Sequence, residues 1–143
     1  ASINTASEYG FGAVIAALPG FLVIREALRA VPDPLLNTAV SVTVLAGVTG
    51  SASGGMSIAL AAMAESFIAN AQAAGIPMEV LHRVAAMASG GMDTLPHNGA
   101  VISLLAICKL THRESYKFIF VNTVAFPMVA LAVVITLGTL SIL

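Results

Sequence analysis

Charge is scarce in this chain: Asp, Glu, Lys and Arg supply 9% of its 143 residues, and hydrophobic residues 58%. A soluble domain carries roughly 25% charged residues. So few charges cannot clothe a water-facing surface, and a lipid bilayer is the expected surroundings. A surplus of either sign is also missing. The net charge of −1 and the lack of a basic stripe leave no reason to expect a nucleic-acid partner. Cys108 is the only cysteine, so no internal disulfide framework or thiolate metal site can form, and its apolar run makes it a packing residue. No His/Glu/Cys cluster has metal-ligand spacing, and neither a Gly-x-Ser-x-Gly nor a Ser–His–Asp pattern is present. No enzyme chemistry, metal or cofactor is therefore expected. Nothing near Ala1 resembles a signal peptide, and the chain is expected to be the C-terminal portion of a longer permease-sized protein.

Four apolar stretches are present. The first, 9–30, contains Gly10, Gly12, Pro19 and Gly20 and ends in Arg25, Glu26 and Arg29. The run Val31-Pro32-Asp33-Pro34 stops it, because closely spaced prolines cannot continue a helix. The second stretch has no charge from Pro34 to Ala64. As one helix it would measure roughly 46 Å at ~1.5 Å per residue, against a hydrocarbon core of about 30 Å. The run Gly50-Ser51-Ala52-Ser53-Gly54-Gly55 divides it into arms 35–48 and 56–68, each too short to cross. The expectation is a re-entrant helical hairpin over 35–68 with its tip near 49–57; a single kinked, tilted span is the rival. A polar connection with Asn70, Gln72, Gly75 and Pro77 follows. The third stretch, 80–108, is interrupted at 89–99 and reads as a discontinuous helix, with Asp93 or Thr94 as the cap of its second half and Pro96 in the first turn. A charged loop, 109–117, leads to a terminal membrane helix over 116–143. Three of the six Lys/Arg lie in that loop, and Arg25, Arg29 and Arg83 fall on the other side. The positive-inside rule ties on count; clustering favours a cytoplasmic 109–117.

The pentapeptide Ala-Ser-Gly-Gly-Met occurs twice, at 52–56 and 88–92, once at each interruption. Broken helices survive in a membrane only where the freed backbone groups are buried in protein or face a polar cavity. Two such breaks imply one shared cavity, as in a carrier's binding site. At the first, Thr49, Ser51, Ser53 and Ser57 offer hydroxyls, Gly54 and Gly55 permit close approach, and the following helix N-terminus favours a small carboxylate. No lysine follows the glycines, so a phosphate-binding nucleotide loop is excluded. Small-residue helix packing is the competing explanation. The second break holds Ser89, Gly90, Gly91, Asp93, Thr94, His97 and Asn98. A carboxylate deep in a membrane costs on the order of 2.5–3.5 kcal/mol on insertion scales. If 93–97 is helical, Asp93 and His97 share a face and can exchange a proton; a mere cap with its hydrogen-bond partner is the blander possibility. Glu65 reads as a snorkelling surface residue, Glu8 has no assigned role, and His82 and His112 read as solvated.

The run Ala88-Ser89-Gly90-Gly91-Met92-Asp93-Thr94-Leu95-Pro96-His97-Asn98-Gly99-Ala100-Val101 resembles a segment of the gluconate:proton symporter (GntP) family. The resemblance extends through Cys108-Lys109-Leu110-Thr111-His112-Arg113-Glu114-Ser115-Tyr116-Lys117, and back to Tyr9-Gly10-Phe11-Gly12-Ala13-Val14-Ile15, Leu18-Pro19-Gly20-Phe21 and the 50–55 run. It implies a multi-pass carrier of the bacterial inner (plasma) membrane that moves small hydroxy-carboxylates with protons. It also implies an all-α polytopic membrane protein of the ion transporter superfamily type, whose repeats pair a re-entrant hairpin with a broken transmembrane helix; this chain would be the second repeat. The His and Asp arrangement at the second break differs from that of the family's gluconate carriers, which opens 3-hydroxybutyrate or another short hydroxy or keto acid as the cargo.

The expected function is thus proton-coupled symport of gluconate or a related carboxylate by a homo-oligomer. Thr49, Ser51, Ser53, Gly54, Gly55 and Ser57 would hold the carboxylate end, with Ser89, Gly90, Gly91, Thr94 and Asn98 on the hydroxyls. Asp93 and His97 would carry the proton. Na⁺ stays open as coupling ion, since carbonyls and hydroxyls at the breaks could ligate it. A channel, a structural membrane subunit and, least of all, a membrane enzyme are the rivals.

Overall fold

The computed structural model describes Gly10, Val14 and residues 17–140; the expected span 9–30 lies partly outside them, as does Glu8. All regular structure among the described residues is helical: α1 (Pro19–Arg29), α2 (Pro34–Thr49), α3 (Ala52–Ala73), α4 (Met78–Ser89), α5 (Gly99–Cys108), α6 (His112–Phe120), a π-helical turn (Val121–Ala125) and α7 (Phe126–Thr139). Two helices are long and apolar enough to cross a membrane by length and composition, α3 and the continuous His112–Thr139.

The α2 helix is the hub. It starts where Asp33 caps it, the carboxylate accepting from the Leu36 N–H at 2.7 Å, with Pro34 at the first helical position, where its missing N–H costs nothing. It stops at Gly50, whose φ of +62° is a left-handed conformation suited to glycine. Between these ends it packs against α1, α3, α4 and α7. Leu35, Val42, Leu45 and Ala46 are inaccessible, and so are the polar Thr38 and Ser41. The stripe left toward the outside, Leu36, Val40, Val44 and Val48, is apolar too, so the helix has no polar face. Asn37 donates to the carbonyls of Leu28 (2.6 Å) and Val31 (3.3 Å), closing the end of α1. Thr43 donates to Ala88 O at 3.0 Å and ties α2 to the last turn of α4.

Three boundaries differ from the sequence expectation. The first break is only Gly50 and Ser51; the Ser51 hydroxyl accepts from the Gly54 N–H at 3.1 Å and starts α3 at Ala52. Gly54 and Gly55 therefore lie in the first turn of a helix and not in the break. Gly55 is there because α2 passes so close that a Cβ would overlap the backbone of Ala46, a small-residue packing contact. The second arm runs 22 residues to Ala73, about 33 Å at ~1.5 Å per residue, while α2, at 16 residues, measures about 24 Å. The arms are unequal. The 109–117 loop is also shorter than expected, because Thr111 and Glu114 form a reciprocal capping box that starts α6 at His112.

The π-helical turn has a local cause. Pro127 has no N–H for the Thr123 carbonyl four residues back, and its ring crowds that carbonyl. The turn before it widens to spacing by five, and the Phe126 N–H bonds to Val121 O. Beyond this turn Leu131 and Gly138 face inward. Gly138 lets α7 lie against Val80 of α4 and Leu35 of α2, for a Cβ there would meet both side chains within about 3 Å.

Candidate functional site

The two breaks touch. Residues 90–98, the unwound stretch between α4 and α5, fold over the C-terminal end of α2. A helix leaves its last carbonyls without intrahelical partners, and the second break supplies donors for them. His97 Nε2 lies 2.9 Å from Gly47 O; a carbonyl only accepts, so Nε2 carries the hydrogen. Asn98 Nδ2 donates to Gly50 O at 2.6 Å and to Asp93 O at 2.7 Å. One buried amide thus holds the first break and the second together. Its Oδ1 accepts from the Val101 N–H at 2.9 Å and caps α5. The cap of the second half-helix is therefore Asn98, not Asp93 or Thr94, and Pro96 precedes the helix. Asn98 wins because it ends the unwound run, where its side chain can serve both the helix start and the facing carbonyls.

Asp93 is half-buried, its carboxylate set against the backbone amides of Asp93 and Thr94. The stretch 93–97 is not helical, so Asp93 and His97 do not share a helix face as expected, and the His97 ring is engaged with α2. Thr94 Oγ1 lies 2.6 Å from Thr123 Oγ1 of the π-helical turn. Tyr116 Oη donates to Thr94 O at 3.2 Å, and His112 Nε2 to Pro96 O at 3.0 Å. His112 is exposed, as expected, and its ring also braces the unwound stretch. Tyr116, Thr123 and His112 are functional candidates that sequence reasoning passed over. No local signal marks them, since their partners lie on another element.

The other expected site residues divide. Thr49 back-bonds to Leu45 O at 2.8 Å, and Ser89 to Ala86 O at 2.8 Å. Ser51 caps α3 and lies 3.4 Å from the Ser53 hydroxyl. Ser57 is half-buried one turn into α3. Gly90 has room around it, whereas Gly91 is buried against Thr43 and Met128. The hydroxyls of Thr49, Ser51 and Ser53 and the 93–98 stretch gather at the α2 end, where the N-termini of α3 and α5 also start. Ser89 is turned into its own helix. Among the described residues no three His, Cys, Asp or Glu come together to hold a metal ion. An open depression of about 440 Å³ lined by Met78, Glu79, His82 and Arg83 lies at the opposite end of α4 from the breaks.

No family model matches the chain, and no solved structure matches it. Among curated proteins, the chain is 58% identical over 135 residues to one of Bacillus subtilis (strain 168) named uncharacterized transporter YxjC. The match covers 94% of this chain and 29% of that protein, so the chain spans under a third of the length of the relative it resembles.

Proposed function

We propose that this chain is part of a membrane transporter and carries its substrate and proton sites where the breaks meet. The observation that carries this reading is the double clip by Asn98 and His97, which draws two helix interruptions to one place beside a carboxylate. The 58% identity to a protein named a transporter supports the class. The resemblance to the GntP family supports the finer reading: symport of gluconate or a related small hydroxy-carboxylate with protons, in a multi-pass protein of the bacterial inner membrane that forms a homo-oligomer. In this reading 35–68 forms the re-entrant hairpin, 80–108 the broken helix and 116–143 the terminal span.

The substrate carboxylate docks at the start of α3, among Ser51, Ser53 and Ser57, where the N–H groups ahead of the capped Gly54 lack intrahelical acceptors and the helix dipole favours an anion. The hydroxyls face Thr94. Asp93 takes the coupling proton, with Na⁺ as the alternative ion. His97 is its partner in proton coupling, the ring held in place by the Nε2 bond to Gly47 O.

The test is uptake of labelled gluconate and 3-hydroxybutyrate into proteoliposomes holding the full-length protein, with an alkaline interior. Accumulation against the gradient, collapsed by a protonophore, is expected, and no accumulation of either acid refutes the reading. Asp93→Asn should abolish pH-driven accumulation while leaving substrate exchange across the membrane. Gly55 favours a second reading, an assembly subunit, because its lack of a side chain serves packing alone; that reading predicts no uptake by any variant.

A further inference from the structure

The hydroxyl chain from α6 to the unwound stretch has a direction. Thr123 Oγ1 donates its one proton to Ile119 O at 2.8 Å, and a carbonyl cannot return one. The 2.6 Å contact between Thr123 and Thr94 therefore needs the Thr94 proton, since each hydroxyl has a single donor. Its length is that of a good O–H···O bond. With that proton spent, Thr94 Oγ1 can offer a ligand only a lone pair. It can accept from a substrate O–H; it has nothing to donate to a keto oxygen. Tyr116, donating to Thr94 O at 3.2 Å, holds the same residue from the backbone side. Thr123 owes its reach to the widened turn at Val121–Ala125, and π-helical turns are frequent at functional sites.

We propose that Thr123 is a specificity-determining positioning residue: it fixes Thr94 as a hydrogen-bond acceptor, so the site selects hydroxy acids over the matching keto acids. This rests on the carrier reading above and narrows its cargo. A ligand hydroxyl would extend the series Thr94 to Thr123 to Ile119 O, each O–H donating to the next oxygen. A keto acid would present an acceptor to an acceptor, and a polar group left unpaired in a partly buried site is discriminated against strongly.

The experiment measures uptake of matched pairs, gluconate with 5-ketogluconate and 3-hydroxybutyrate with acetoacetate, by the full-length protein in proteoliposomes. The readout is the hydroxy-to-keto ratio of kcat/KM for the accumulated pair. The wild type should favour the hydroxy acid. Thr123→Val frees the Thr94 proton and should lower the ratio by about tenfold, the worth of one hydrogen bond, whereas Thr123→Ser should keep it. A general structural defect would depress both acids together and leave the ratio alone. If Thr123→Val does not fold, Thr94→Val removes the acceptor itself, takes away the partner of the substrate O–H, and should lower the ratio too. A wild-type ratio near one, or an unchanged ratio in the folded valine variants, overturns the proposal. Accumulation of neither acid by the wild type overturns the carrier reading and this inference with it; accumulation with an unmoved ratio overturns this inference alone.

Discussion

The two interruptions carry the same Ala-Ser-Gly-Gly-Met pentapeptide and solve opposite problems. At the first, the chain leaves α2 and enters α3 within Gly50 and Ser51, and most of the turn is satisfied locally: the Ser51 N–H reaches Ala46 O at 3.2 Å, and the Ser51 hydroxyl caps α3, with Gly50 O alone taking a donor from Asn98. Its glycine pair lies inside the helix, and Gly55 serves close packing. At the second, the glycine pair sits where α4 ends, and the chain wanders through 90–98 before α5 begins. That longer stretch is not self-supporting. It is held from α2 through His97 and Asn98, and from the terminal helix through His112, Tyr116 and Thr123. A break satisfied mostly by its own neighbours keeps its shape. A break held by side chains from elsewhere can change when those partners do, which suits the half of a site that must release cargo.

The largest way to break this contrast is at Gly55. Gly55→Ala puts a Cβ into the backbone of Ala46, which cannot rotate away as a side chain can. The expected cost is about 3 kcal/mol, read as a lower melting temperature in detergent, and a melting point equal to wild type would refute the packing role. Next comes Asn98→Ala, which strips donors from Gly50 O and Asp93 O together with the cap of α5. The lost cap and the two orphaned carbonyls should together cost about 2 kcal/mol. Amide exchange should quicken across both 50–51 and 93–101 if one side chain joins the breaks. Quickening confined to 93–101 would mean that the first break needs no help from the second.

A smaller effect is expected at the turn itself. Gly50→Ala forces a side chain into the left-handed region, with φ of +62°, and brings a Cβ to 3.3 Å from the His97 ring. A cost of about 1–2 kcal/mol follows from the backbone alone. The crowding should also disturb His97, so the ring's NMR signals should shift in the variant; unmoved signals would separate turn from clip.

Much of the scaffold could be read along the chain. Val31-Pro32-Asp33-Pro34 marks the end of one helix and the capped start of the next, because proline and aspartate act locally. The 90–98 interruption announces itself through Gly, Asp, Pro and Asn in close succession. Pro127 and the Thr111/Glu114 pair also carry local signals, for the π-helical turn and the start of α6. Other features had no local signature. Glycine pairs permit either a break or a close approach, and only the passage of α2 beside Gly55 decides between them. Whether Asp93, Thr94 or Asn98 caps α5 depends on carbonyls at Gly50 that come near only in the folded chain. The pairing of Thr94 with Thr123, 29 residues away, cannot be read from hydroxyls that could each have bonded to their own helix. The candidate site was thus legible as two regions and illegible as a network.

The smallest effect expected is at Gly90, which matches Gly54 in the repeated pentapeptide and for which glycine-pair composition alone would predict the same harm as at Gly55. Gly90 has φ of −86° and ψ of 2°, a conformation any residue adopts, and a Cβ there meets nothing closer than Met87 O at 3.9 Å. Gly90→Ala should therefore change stability by no more than about 0.5 kcal/mol, and it can add a little by restricting the unfolded chain. Measured beside Gly55→Ala, this variant isolates context from composition, since the deleted freedom is the same and only the neighbours differ. Equal losses at the two positions would mean that the pentapeptide acts through glycine's flexibility, and the contrast between a packed start of α3 and an open end of α4 would fall.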